Sequence, residues 1–271
     1  MALFKNTIGS GVEKSSANRA TFGRYWELFF NKFGTFFKIN LVYFLFCIPI
    51  VTFGPATAAL TAMMRNIYLE RYQYIFSDLK QYYKENFKKS SGIGIVNVIM
   101  IELAVFVFEF WDKFIGDEYS GVKIVLIAAD ILLLLVSFYI YPQIAAMDLP
   151  LGAIIKNSVI LIFLNPLREI IALILFVSYA LLLLNFTIFT APLLPLFPLA
   201  ILGFTAVYCC YPAIQKVIID PYYQKSGERN PEIWETDEDA IFEYMGGKED
   251  PITLEKTERS GKTNRGTKVI K

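Results

Sequence analysis

GIGIVNVIMIELAVFVFEFW (residues 92–111) and VKIVLIAADILLLLVSFYIY (residues 122–141) decide the fold between them. Each is long enough, at ~1.5 Å of rise per residue, to cross the ~30 Å hydrocarbon core of a bilayer. The short joint, Asp112–Gly121, holds one lysine among three acids. Two apolar helices on either side of a polar turn read as a transmembrane hairpin, because a helix satisfies its backbone groups within a single segment inside lipid.

Four more apolar segments flank that hairpin: Gly34–Val51, Gly54–Tyr68, Leu167–Phe189 and Leu196–Ile219. Asn165-Pro166 opens the third of these as a helix start, with Asn as cap and Pro in the first turn. Gly54–Tyr68 is the shortest and carries Arg65 near its end. Composition agrees, since the 271 residues are 55% hydrophobic and only 19% charged, whereas soluble domains run nearer a quarter charged. The expected fold is all-α, a polytopic transmembrane bundle of about six spans with amphipathic cytoplasmic interface helices.

Orientation follows from the placement of basic residues. Lys5, Lys14, Arg19, Arg24, Lys32 and Lys38 precede or open the first span, and Arg71, Lys80, Lys84, Lys88 and Lys89 separate the second from the third. The chain ends in Lys262, Arg265, Lys268 and Lys271. Basic residues stay on the cytoplasmic side, so both termini are expected inside the cell membrane. That gives a cytoplasmic segment 1–23, a membrane domain 24–220 and a cytoplasmic tail 221–271. The tail has an acidic stretch, Glu232–Glu243, and an end too polar to fold alone. The opening residues lack an apolar signal region, so the internal spans are expected to drive insertion.

Two amphipathic stretches lie outside the spans. Arg24–Lys38 repeats aromatic residues at helical spacing, and Ile75–Lys89 sets Lys80, Lys84 and Lys88 in a row opposite Ile75, Phe76, Leu79 and Phe87. Both read as helices lying in the cytoplasmic interface, lysines toward anionic head groups. Prolines 55, 142 and 212 fall late in, or just after, long apolar runs, where they kink or end helices.

The chemistry on offer is sparse. There is no histidine, and Cys47, Cys209 and Cys210 lie inside apolar stretches, as small buried side chains do. No phosphate-binding loop, nucleophile elbow or zinc-binding pair of histidines is present. Neither enzyme activity nor a metal or other cofactor is expected. The informative residues are intramembrane carboxylates, which are costly in lipid. Glu102 and Glu109 share a helix face, and Asp130 in the next span stands at the depth of Glu102, ~12 to 13 Å from the joint. They suggest a protonated pair, an ion site or a contact to a partner helix. Arg168 and Glu169 read as interface residues, Glu169 complementing a helix N-terminus.

CIPIVTFGPATAAL (Cys47–Leu60), Arg65 and DLKQYYKENFKKS (Asp78–Ser90) together resemble the YesL family of bacterial membrane proteins. The positions that carry the likeness are Pro49, Gly54, Pro55, Thr57 and Arg65, with Lys84, Phe87 and Lys88 in the following helix. Asn165-Pro166-Leu167-Arg168 is similar to the family's entry into its fifth span. The resemblance implies no catalytic residues, but it does imply a setting beside carbohydrate importers of the ATP-binding-cassette (ABC) type. The expected function is therefore an accessory subunit that stabilises or regulates such an importer. Its expected partners are the permease subunits, their cytoplasmic ATPase and membrane lipids. A solute transporter or channel, and a sensor signalling through the tail, remain alternatives. Ala145-Ala146-Met147-Asp148 is also similar to the loop by which such permeases grip their ATPase, although Leu149 stands where that loop has glycine.

Overall fold

A computed structural model of the chain describes residues 20–116, 119–185 and 198–227, together with Asn230 and Glu232. The described residues are helical throughout, with no strand elements. In chain order the helices are α1 (Phe22–Asn31), α2 (Phe33–Cys47), α3 (Phe53–Tyr68), α4 (Ile75–Phe114), α5 (Ser120–Ala146), α6 (Leu151–Leu164), α7 (Pro166–Asn185) and α8 (Pro198–Ser226). α4 and α8 each contain one π-helical turn, at Phe106–Phe110 and Gln215–Ile219.

The organising element is α3, the segment whose sequence looks least like a span. It packs against α2, α4, α5 and α8, and every residue from Ala58 to Leu69 is buried. A helix enclosed by protein has no lipid to satisfy, so small and polar side chains serve it better than leucines. Ala56, Ala58, Ala59 and Ala62 admit close neighbours, while Thr57 and Thr61 turn their hydroxyls back onto the Phe53 and Thr57 carbonyls at 2.8 Å. The closest approach is to α4. A Cβ built on Gly54 would collide with the Ser90 carbonyl and lie 2.8 Å from the Gly94 Cα, and one on Gly94 would collide with the Gly54 backbone.

Among the described residues three helices are long and apolar enough to cross a membrane: α4 (40 residues), α5 (27) and α8 (29). A fourth crossing is possible if α6 and the first part of α7, bent by 101° at Asn165, form one span. α2 has only 15 residues, so the first segment is shorter than Gly34–Val51 suggests. Pro49 and the Thr52 hydroxyl, bonded to the Phe46 and Pro49 carbonyls at 2.6 Å, turn the chain into α3 instead. α7 begins at Pro166, as the Asn165-Pro166 pair predicts. The loop Thr190–Pro195 and all of the tail except Asn230, Glu232 and the residues up to Gly227 lie outside the described residues.

Two expectations about the amphipathic pieces need correction. Ile75–Lys89 is not a separate helix lying in the interface; it is the first third of α4, continuous with the third apolar segment. Nothing between Phe87 and Gly94 breaks the helix, since the hydroxyls of Ser90 and Ser91 bond to the Asn86 and Phe87 carbonyls within it. The Arg24–Lys38 stretch divides at Lys32 into α1 and α2, and part of its aromatic surface faces protein. Tyr25 stacks on Phe204 of α8 and its hydroxyl shares a 2.8 Å hydrogen bond with Thr205, while Tyr208 donates to the Thr21 carbonyl. Phe22, Trp26, Phe30, Phe33 and Phe37 remain exposed.

Prolines 142 and 212 sit inside α5 and α8, which continue past them, and Pro55 sits in the first turn of α3. Cys47, Cys209 and Cys210 are free thiols.

Candidate functional site

The residues singled out from the sequence fall into two groups at different levels of the bundle. Beyond the Gly54–Gly94 crossing, α4 runs on for ~30 Å to Phe114, using the helical rise. Along that stretch Ile95, Val96, Ile99, Ile101, Phe106 and Phe108 are exposed, as are Val122, Ile124, Val125 and Leu132 on α5. This is the hairpin of residues 92–111 and 122–141, presenting a bilayer-length apolar surface. At its tip Lys123 pairs with Asp112 at 2.8 Å.

Glu102 and Glu109 both lie on the exposed surface of that hairpin. Glu102 opens onto a shallow cavity lined by Cys47, Phe53, Val98 and Ile101, on the side of α4 that faces the α2–α3 corner. Asp130 is half-buried, and its Oδ2 has no hydrogen-bond partner among the described residues. The polar link that joins α4 to α5 comes from elsewhere. Ser137 donates to Asn97 Oδ1 at 3.0 Å, and Asn97 donates to the Tyr141 hydroxyl at 2.9 Å. A search restricted to carboxylates overlooks Asn97; a lone amide in an apolar run is the signal that finds it. Interhelical hydrogen bonds in membranes average ~0.6 kcal/mol, with ~1–2 in model peptides. Asn97→Leu is therefore expected to lower stability in detergent by about 1 kcal/mol, read as a modest fall in the melting temperature.

The second group gathers where α3 ends, beside the middle of α8 and the first turns of α4. Arg65, 4% exposed, lies over the Tyr211 ring at 5.5 Å and donates through Nε to the Tyr211 hydroxyl at 2.5 Å. Its Nη2 forms an ion pair with Glu232, which is 3% exposed. Tyr211 donates to Glu232 Oε1 at 2.5 Å and Gln215 donates to Oε2 at 2.9 Å. Burial alone would raise the Glu232 carboxyl, but the Arg65 guanidinium and these three donors outweigh it and hold the group below its ordinary value.

Nearby, Arg24 reaches from α1 to the Tyr68 carbonyl and to Glu70, both at 3.0 Å. Glu70 has a positive φ of 54°, in the turn that leaves α3. Lys89 pairs with Asp148 and donates to the Leu149 carbonyl, tying α4 to the corner between α5 and α6. Lys80, Lys84, Phe87 and Lys88 are exposed on the outer face of α4. Glu169 does stand in the first turn of α7, as a dipole-complementing residue would. It is nonetheless 2% exposed, and its Oε1 has no hydrogen-bond partner among the described residues, so it belongs to the interior and not the surface.

The positions that carry the sequence resemblance thus have three physical roles. Pro49 makes a corner, Gly54 permits contact of two backbones, and Arg65 holds a carboxylate. Pro55 is buried in the first turn of α3, and Thr57 shares a 3.2 Å hydrogen bond with Tyr43 of α2. Residues 36–110, from α2 through the π-helical turn of α4, match a family described as a protein of unknown function, DUF624. No curated protein and no solved structure matches the chain.

Proposed function

We propose that the protein is a YesL-type accessory membrane subunit that associates with a carbohydrate ABC importer and stabilises or regulates it without catalysis of its own. The observation that supports this most is the continuity of α4. One unbroken helix carries Glu102 and Glu109 on its lipid-length apolar face and the exposed row Lys80, Lys84 and Lys88 at its other end. A rigid element of that kind can touch a permease within the membrane and an ATPase at its surface at once. A carboxylate exposed to lipid costs ~2.5–3.5 kcal/mol on insertion scales, so a partner helix that covers Glu102 with a polar or cationic group removes a penalty.

In the topology we favour, the α4–α5 hairpin and the later helices cross the cell membrane an even number of times, with both termini cytoplasmic; α2 and α3, whose contacts with α4 fall beside its lysine-bearing first part, do not supply the first two of the six crossings that the sequence suggests. Support comes from the gathering of Arg24, Arg65, Glu70 and Glu232 where α3 ends, beside the part of α4 from which Lys80, Lys84 and Lys88 project. Copurification tests the reading. A tagged chain solubilised in mild detergent is expected to bring down permease and ATPase subunits. Lys80→Glu, Lys84→Glu and Lys88→Glu together are expected to lose at least ten times more ATPase than permease. A chain that captures neither component, or one that moves a solute unaided in liposomes, defeats the proposal.

A further inference from the structure

Glu232 belongs to the tail, yet the donors to its carboxylate belong to the bundle: Arg65 on α3, and Tyr211 and Gln215 on α8. The residues of this seat also bond to one another and to the bundle. Arg65 Nε is already bonded to Tyr211, its guanidinium rests on that ring, and Tyr68 donates to Gln215 Oε1 at 3.3 Å. The chain reaches it by reversing at Gly227, whose φ of 68° lies in the left-handed region that glycine adopts freely. Beyond that turn the contacts step back along α8, first Asn230 Nδ2 to Asp220 Oδ1 at 3.0 Å, then Glu232 to Gln215 and Tyr211. Asn230 also accepts the Glu232 backbone N–H at 2.9 Å, fixing the angle at which the carboxylate enters.

We infer that Asn230–Glu232 is a releasable clasp fastening the root of the C-terminal tail to the central helix α3, with Glu232 as the tongue and Arg65, Tyr211 and Gln215 as its seat. Polar contacts hold it in place. A carboxylate buried against a guanidinium holds firmly, and one withdrawn into water leaves the guanidinium buried without its counter-charge, so a half-engaged arrangement is disfavoured. The tail continues for 39 residues after Glu232 (271 − 232). Whatever pulls on those residues therefore acts on α3, the helix that meets α4 at the Gly54–Gly94 crossing. Tail and bundle thus have two states, fastened and free. The inference does not rest on the importer reading, and its test needs no partner.

Trypsin cleavage of the full-length protein in mild detergent provides that test, because Arg229 immediately precedes the clasp and Lys89 reports on the bundle. Glu232→Gln keeps the shape but loses the charge; it is expected to speed cleavage after Arg229 at least tenfold and to raise cleavage after Lys89 far less. Asn230→Ala, which leaves the buried charges in place, is expected to act in the same direction by a few-fold, and it carries the test if Glu232→Gln yields too little folded protein. An unchanged rate at Arg229 in both variants overturns the clasp. An equal rise at Arg229 and Lys89 overturns it too, since Glu232 would then brace the whole bundle.

Discussion

Gly94→Leu is expected to abolish accumulation of the folded protein, and Gly54→Leu to do the same. At this crossing the nearest atoms to a new side chain are backbone: the Ser90 carbonyl and Gly94 for one glycine, the Gly54 Cα and N for the other. Overpacking usually costs ~1–3 kcal/mol because neighbouring side chains rotate away. Backbone cannot do so, and α3 has no free side to shift toward, since α2, α5 and α8 enclose it. The cost therefore belongs with the exceptional changes above ~4 kcal/mol, against a total stability of ~5–15 kcal/mol for typical domains. Even Gly94→Ala should lower the melting temperature clearly. Gly92→Leu is the control: it lies two residues away on the same helix, a Cβ there meets nothing within 4 Å, and it is expected to be near neutral. Comparable monodisperse yields of Gly92→Leu and Gly94→Leu would show that the two helices do not touch through these glycines.

The sequence makes lipid-facing helices legible and protein-facing ones obscure. The hairpin of α4 and α5 is plain from residues 92–111 and 122–141 because long uncharged runs report exposure to hydrocarbon. The central helix is hard to read for the same reason inverted. Gly54–Tyr68 is short, alanine-rich and charged at Arg65, a poor span by hydropathy and a good core by packing. Continuity of α4 was hidden because the change from amphipathic to apolar pattern near Ser90 resembles a boundary, although no residue there stops a helix. The break at Lys32, in contrast, has only Asn31 and Gly34 beside it to announce it, and it lets Tyr25 and Phe36 both dock on Phe204.

Among the candidate residues, the resemblance located Gly54 and Arg65 without explaining either. Gly54 needs Gly94, and that pairing is a property of two surfaces, not of a motif. The partner of Arg65 lies 167 residues away, and no local period links them. Glu232 reads in sequence as one acid in an acidic stretch; only its return along α8 makes it singular.

Arg65→Met, with a side chain of similar volume and no charge, is expected to destabilise the protein by about 3–5 kcal/mol, the usual consequence of leaving a buried charge alone. Arg65→Met combined with Glu232→Leu should recover most of that loss, because removing both charges also removes both desolvation penalties. The pH dependence carries an independent signature. The carboxyl of Glu232 is held below its ordinary value in the folded protein, so the unfolded chain takes up that proton first as pH falls. The stabilisation from this group is then fully present above the ordinary glutamate range of ~4.3 and disappears as pH drops through the lower, folded value. From neutral pH down to about 5 the wild-type protein should hold a constant advantage over Glu232→Gln, and below ~4 the two melting curves should converge. A gap that persists under acid would mean that the carboxylate's charge is not what Arg65 holds. In that case the worth of Glu232 would lie in its hydrogen bonds from Tyr211 and Gln215, which the glutamine variant can mimic only in part.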